Sequence, residues 1–145
     1  MSGAKFKAVL AASQADARRC YPLMKQLRPH LASEDEFAQR WKRQTADGYK
    51  LLMLMDGDQP VALGGYRVQE NLVYGRFLYV DDLVSDASTR SSGLGSQLMN
   101  CLKAETKAQG CEKLVLDTAL SNSLGQRFYF RNGLLATAMR FNVAV

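Results

Sequence analysis

Between Tyr49 and Ser85 the chain shows no helical spacing, and this limits the fold more than any other feature. Tyr49–Met55 is a short apolar run. Asp56-Gly57-Asp58 is a hairpin turn signal, with Gly57 free to take a positive φ. Val61–Gln69 follows, interrupted by Gly64-Gly65, which in a strand marks a bulge or the close approach of another group. Glu70-Asn71 turns the chain again, and Val73–Ser85 reads as a long third run. Strands joined by turns this short form a meander.

Helical periods frame this meander. Residues 5–11 alternate weakly (Phe6, Ala8, Leu10) and read as a first strand. Residues 14–28 carry Ala17, Cys20, Tyr21, Met24 and Leu27 at helical spacing. Ser33, with Glu36 three residues on, forms a capping box. It opens a helix to about Thr45, with Phe37 and Trp41 on one face, which Gly48 ends. After the meander, Gly93–Gln109 places Leu94, Leu98, Cys101, Leu102 and Glu105 at helical offsets, and Gly110 stands ready as the residue after the helix. Leu114-Val115-Leu116 is an apolar strand of the kind covered on both faces. Ser121–Asn132 is a helix closed by Gly133, and Phe141–Val145 reads as a last strand. The order β-α-α-β-β-β-α-β-α-β predicts an α/β chain of the α+β, mixed-sheet kind. Its 145 residues suit a single domain spanning 1–145.

Composition removes several classes of function. Apolar residues are 47% and charged residues 23%, as in ordinary globular chains. The net charge of +5 favours anionic small ligands, but the basic residues are scattered, so no nucleic-acid partner is expected. No apolar run approaches the ~20 residues of a membrane span, and Ala8–Ala12 is too short for a signal-peptide core. Cys20, Cys101 and Cys111 are odd in number and widely spaced, which fits a reducing, cytoplasmic setting and no metal site. His30 is the only histidine, and nothing around it has ligand spacing.

The informative segment is Val80 to Gly95. A strand ends, a short loop turns, and Gly93 and Gly95 lead into a helix. The first amides of a helix lack internal partners and carry partial positive charge, so such a start can receive an anion. Arg90 adds a fork suited to phosphate oxygens. Two other glycine motifs fit poorly: Ser96 stands where the nucleotide P-loop needs Lys, and Leu98 where the dinucleotide pattern needs Gly. A purely structural turn is the plain alternative.

Arg90, Gly93 and Gly95 form Arg-x-x-Gly-x-Gly, which resembles motif A of the GCN5-related N-acetyltransferase (GNAT) superfamily. Ser121-Asn122 followed by Gln126-Arg127-Phe128-Tyr129-Phe130-Arg131-Asn132-Gly133-Leu134 resembles its motif B, with Leu134 in place of the usual Phe. The two stand in the right order, and the likeness covers roughly residues 50–140. The resemblance implies a GNAT-like fold, with a central, mostly antiparallel sheet splayed between its fourth and fifth strands. It implies acetyl-CoA as acyl donor, its pyrophosphate held by Arg90, Ser91, Ser92, Gly93, Leu94, Gly95 and Ser96. Leu83, Val84 and Ser85 would hold the pantetheine arm through their backbone, and Asn122 would contact that arm. Tyr129 would give a proton to the leaving thiolate. Asp81-Asp82 resembles the acidic pair before motif A in small-amine acetyltransferases. Adjacent strand residues point to opposite faces, so only one is expected to face the acceptor. Asp81 is favoured as proton acceptor through water, with Asp82 as the other candidate.

The acceptor would be a primary amine of a small molecule or peptide, attacking directly in a ternary complex. Its specificity is expected from residues 21–50, where Tyr21, Arg28, His30, Trp41, Arg43 and Tyr49 lie. Arg28 and Arg43 would suit an acidic acceptor, although exposed helix charges are ordinarily only solvated. Trp41 and Phe37 read as packing. The alternative from another class is a non-catalytic acyl-CoA-binding sensor or partner module on the same fold. The apolar strand Arg140–Val145 would suit pairing across a homodimer.

Overall fold

The meander is the centre of the structure, a computed structural model that describes residues 6–88 and 93–145. The elements in chain order are β1 (Lys7–Leu10), α1 (Gln14–Leu27), α2 (Glu34–Ala46), β2 (Lys50–Asp56), β3 (Gln59–Asn71), β4 (Gly75–Ser85), α3 (Leu94–Ala108), β5 (Lys113–Leu116) and α4 (Ser123–Arg131). The strands form one sheet in sequence order, β1-β2-β3-β4-β5. The first three neighbour pairs are antiparallel. β5 returns to the sheet through the crossover helix α3, the connection that a parallel neighbour requires, so the sheet is mixed. The chain divides into two compact units, one ending at Val115 and one running Leu116–Val145.

Local chemistry explains where the helices start and stop. Ser33 Oγ accepts from Glu36 N at 3.1 Å, and Glu36 Oε1 accepts from Ala32 N at 2.6 Å, closing the predicted box. α1 starts in the same way: Ser13 Oγ accepts from Asp16 N, and Asp16 Oδ2 from Ala12 N. Gly57 takes φ 60° in the β2–β3 turn, as its position in Asp-Gly-Asp requires.

The sheet divides the core of the first unit. On one face Leu51, Met53 and Met55 of β2, Leu63 of β3 and Val84 of β4 pack with Cys20, Met24, Phe37 and Trp41 of α1 and α2. On the other face Gly64 lets Leu98 and Leu102 of α3 approach β3 closely, and Tyr66 Oη donates to Glu105 Oε2 at 2.6 Å. Each large apolar side chain buried in this way stabilises the fold by roughly 1.5–3 kcal/mol.

In the second unit Asn122 caps α4, and Gly133 closes it at φ 88°. The expected last strand, Phe141–Val145, is not formed; residues 134–145 carry no regular structure. Phe141 and Val143 are more than four-fifths exposed. Alternation marks a segment able to pair, but a strand also needs an edge to pair with. The expected cross-subunit pairing through Arg140–Val145 therefore has no preformed strand behind it.

Candidate active site

A one-residue irregularity in β4 builds the site. In the β3–β4 ladder Gly65 faces Asp82 while Tyr66 faces Val80, so Asp81 is an extra residue with no partner opposite. This is a β-bulge, and it reverses the strand's alternation. Before it, Val80 shares the α3 face with Tyr66; after it, Val84 shares the α1–α2 face with Leu63. Both carboxylates end on the α1–α2 side and line one cavity. The expectation that the two point to opposite faces of the strand is thus corrected, because strict alternation does not survive a bulge.

Each carboxylate is held by its own guanidinium. Arg67, on β3, donates from Nε and a terminal nitrogen to the two Asp81 oxygens at 2.9 and 2.7 Å. Arg28, at the end of α1, donates from Nε to Asp82 Oδ1 at 3.0 Å and from Nη2 to the Asp81 carbonyl at 2.8 Å. Nη2 also lies 2.9 Å from Asp82 Oδ1. Tyr49 Oη donates to Asp82 Oδ2 at 2.7 Å. Burial first, and then the Asp82 charge, raise the Tyr49 phenol well above its ordinary value, so it stays a proton donor to that carboxylate. A carboxylate has about four acceptor positions. Among the described residues Asp81 and Asp82 each accept two side-chain hydrogen bonds, so both keep acceptor positions for a further donor.

Gly65 makes this packing possible. A Cβ there would lie 1.9 Å from Tyr49 Oη. Both sequence readings of the Gly64-Gly65 pair hold: the register shifts beside it, and a side chain lies against it.

The cavity measures about 300 Å³. Asp81, Asp82 and Tyr49 form one part of its lining. Phe37, Arg40, Trp41 and Gln44 of α2 form another, with Arg28 and His30 from the end of α1 and the loop after it. Phe37 and Trp41 are both core and wall. Arg43 is exposed and does not line the cavity, while Arg40, one turn earlier, does. Arg67, Arg40 and Gln44 escaped the sequence reading. Arg67 had a signal: counting back from the Glu70-Asn71 turn sets it opposite Tyr79, diagonal to Asp81.

The acyl-donor residues fall into three places. Arg90, Ser91 and Ser92 lie outside the described residues. Gly93, at φ 82°, leads into α3, whose start has no side-chain cap and no acidic residue in its first turn. The other helices all carry side-chain caps. Among the described residues no side-chain acceptor competes for the backbone around Gly93, Leu94, Gly95 and Ser96, which therefore fits a phosphate group. Leu83, Val84 and Ser85 end β4, paired to Gly64, Leu63 and Ala62. β5 has four residues against eleven in β4, and Glu112 N donates to Arg76 O at the beginning of β4. β4 thus outruns β5 at its Leu83–Ser85 end, where an extended arm would need free backbone.

Asn122 and Tyr129 belong to the second unit. Asn122 is committed locally: Oδ1 accepts from Gly125 N at 3.1 Å, and Nδ2 donates to Thr118 Oγ1 at 2.9 Å. Tyr129 stacks edge-on against Phe128 at 5.5 Å, and burial raises its phenol above the ordinary value. It therefore holds its proton at neutral pH. Among the described residues no group of three or more His, Cys, Asp or Glu could hold a metal ion, and no helix is long and apolar enough to cross a membrane.

Comparison with known proteins places this architecture. The Acetyltransferase (GNAT) family matches residues 12–134. The chain belongs to that family, whose acyl donor is acetyl-CoA. An uncharacterized N-acetyltransferase of Bacillus subtilis, YhdJ, is 28% identical over 109 residues, which is 75% of this chain and 77% of that protein. Glucosamine-6-phosphate N-acetyltransferase from Arabidopsis thaliana shares the fold at a TM-score of 0.74 and 22% identity, covering 96% of this chain and 97% of that one. The aminoglycoside N-acetyltransferase AAC(6')-Iy, solved with CoA, gives 0.81 at 15% identity, covering 100% and 99%.

Proposed function

We propose that this chain is an acetyl-CoA-dependent N-acetyltransferase of a single domain, acting on a primary amine of a small molecule or peptide by direct attack. The observation that carries the reading is the bulge that sets Asp81 and Asp82 side by side on the cavity wall. Acetyl-CoA supplies the thioester, whose C–S bond breaks as the amine's N–C bond forms. Asp81 takes the amine proton through water, as a carboxylate with acceptor positions to spare can do. Asp82, held by Arg28 and Tyr49, fixes the bulge and adds negative charge beside the ammonium. Tyr129 gives its Oη proton to the departing thiolate. Residues 90–96 hold the pyrophosphate, Leu83–Ser85 the pantetheine arm, and Asn122 supports that arm from the start of α4. The three unbridged cysteines support a cytoplasmic place of action.

Calorimetric titration of acetyl-CoA tests the donor site. Wild type should bind, and Arg90→Glu should lose binding by about tenfold or more, as reversal of a phosphate contact predicts. Thiol release with an amine panel tests the chemistry. Asp81→Asn and Tyr129→Phe should each lower turnover by roughly 10²-fold or more. Absence of acetyl-CoA binding by the wild type would end the reading. Binding without turnover on any amine would favour a sensor.

A further inference from the structure

We infer that the amine accepted by this cavity also carries an anionic group, and that Arg40 receives it. The inference rests on the acetyltransferase reading and names the substrate class of the same site. Its first support is charge balance. Asp81 and Asp82 look like a trap for cations, yet each is already matched by a guanidinium, Arg67 at 2.7 Å and Arg28 at 2.9 Å. Among the described residues the formal charges on the lining are Arg28 and Arg40 against Asp81 and Asp82, which sum to zero. Behind them Arg67 and Glu36 cancel as well. A simple ammonium would leave this half-open cavity with one excess positive charge, and a diamine with two. An ammonium that brings its own anion leaves the balance intact.

The second support is the unequal commitment of the two cavity arginines. Arg28 spends Nε and Nη2 on Asp82 and the Asp81 carbonyl. Arg40 makes one contact among the described residues, from Nη2 to Glu36 Oε2 at 3.1 Å, a half-exposed pair one helical turn apart. Such surface pairs hold weakly, and a guanidinium has five N–H donors. Arg40 is therefore a cation on the lining with donors to offer. Gln44, one turn further along α2, and His30 add polar groups beside it. The ammonium then sits at the β4 wall by Asp81, and the anion at the α2 wall.

The test is calorimetry on the full chain with straight-chain ω-amino acids, in which about two to six methylene groups separate the ammonium from the carboxylate. Each is run beside its monoamine and diamine of equal length. At the best-fitting length the amino acid should bind about tenfold tighter than the monoamine, and the diamine weakest, as one charge-assisted pair predicts. Arg40→Gln should shrink that preference to within about threefold, and Arg40→Glu should turn it toward the diamine. Arg40 lies at the surface, so neither variant endangers the core. If no amino acid outbinds its monoamine at any length, because all bind alike or none binds, the inference is overturned. It is equally overturned if Arg40→Gln keeps the full preference. Acetyl-CoA titrated into the same samples separates the two ideas: its failure to bind would sink the acetyltransferase reading, whereas the amine series decides the ligand class alone.

Discussion

Gly65→Ala probes the packing that holds the carboxylates in place. The added Cβ would stand 1.9 Å from Tyr49 Oη, 2.6 Å from Cζ and 2.8 Å from Cε1. The ring has to move, and at 3% exposure it has little space to move into. Overpacking of this kind costs about 1–3 kcal/mol. Displacement also breaks the 2.7 Å bond to Asp82, and a bond to a charged group is worth roughly 1.5–3 kcal/mol. The two effects share one movement and do not simply add, so a loss of about 2–4 kcal/mol is expected, or a Tm lower by on the order of 5–15 °C. Gly64→Ala is the control one residue away. The atoms nearest its Cβ would be the flexible ends of Leu102 at 3.1 Å and Leu98 at 3.3 Å, which need give by only a few tenths of an ångström, so the cost should be smaller than that of Gly65→Ala. The double variant Gly65→Ala/Tyr49→Phe removes the worst contact and should recover part of the loss, since the ring-carbon contacts persist. Urea and thermal unfolding followed by circular dichroism measure all four proteins. The reasoning fails if Gly65→Ala is no less stable than Gly64→Ala.

Three further outcomes are expected. Arg67→Met leaves the half-buried Asp81 without its fork; allowing for the exposure of the pair, stability should fall by about 1–2 kcal/mol in urea titrations, and amine turnover should fall with it. The amide of Ala12, then Arg19, hold the Asp16 carboxyl below its ordinary value, and the amide of Ala32 does the same for Glu36. With a lowered folded value the unfolded chain takes up the proton first. This contribution is therefore whole at neutral pH and is lost as the pH falls from 4.5 and 3.8 through the lower folded values; Asp16→Asn should flatten that acid limb of unfolding free energy against pH. Burial, with the nearby Asp16 charge, pushes the Cys20 thiol up to about 12. A disulfide reagent at pH 8 should therefore leave Cys20 unlabelled in the native chain and label it only after unfolding.

Much of this protein was legible in its sequence. Turn residues and hydrophobic period placed the helices and the first five strands, because both are local properties of consecutive side chains. Ser33 and Glu36 marked the start of α2 for the same reason. The two family motifs, Arg90 to Gly95 and Ser121 to Leu134, identified the family because their spacing is also local. Pairing decided what local patterns cannot. Phe141–Val145 alternates as a strand should, yet strand formation depends on an available edge and not on the segment itself. Asp81 and Asp82 were recognisable as a pair, but the face each occupies follows from the bulge, and the bulge follows from how Gly65 and Tyr66 register against β4. Arg28, Arg40, Tyr49 and Arg67 reach the site from different elements, up to 54 residues from the carboxylates they serve. Charges so far apart in the chain meet only when the sheet and the first two helices close on one another, so the partners of each carboxylate, and with them the charge of the cavity, were settled by the tertiary structure alone.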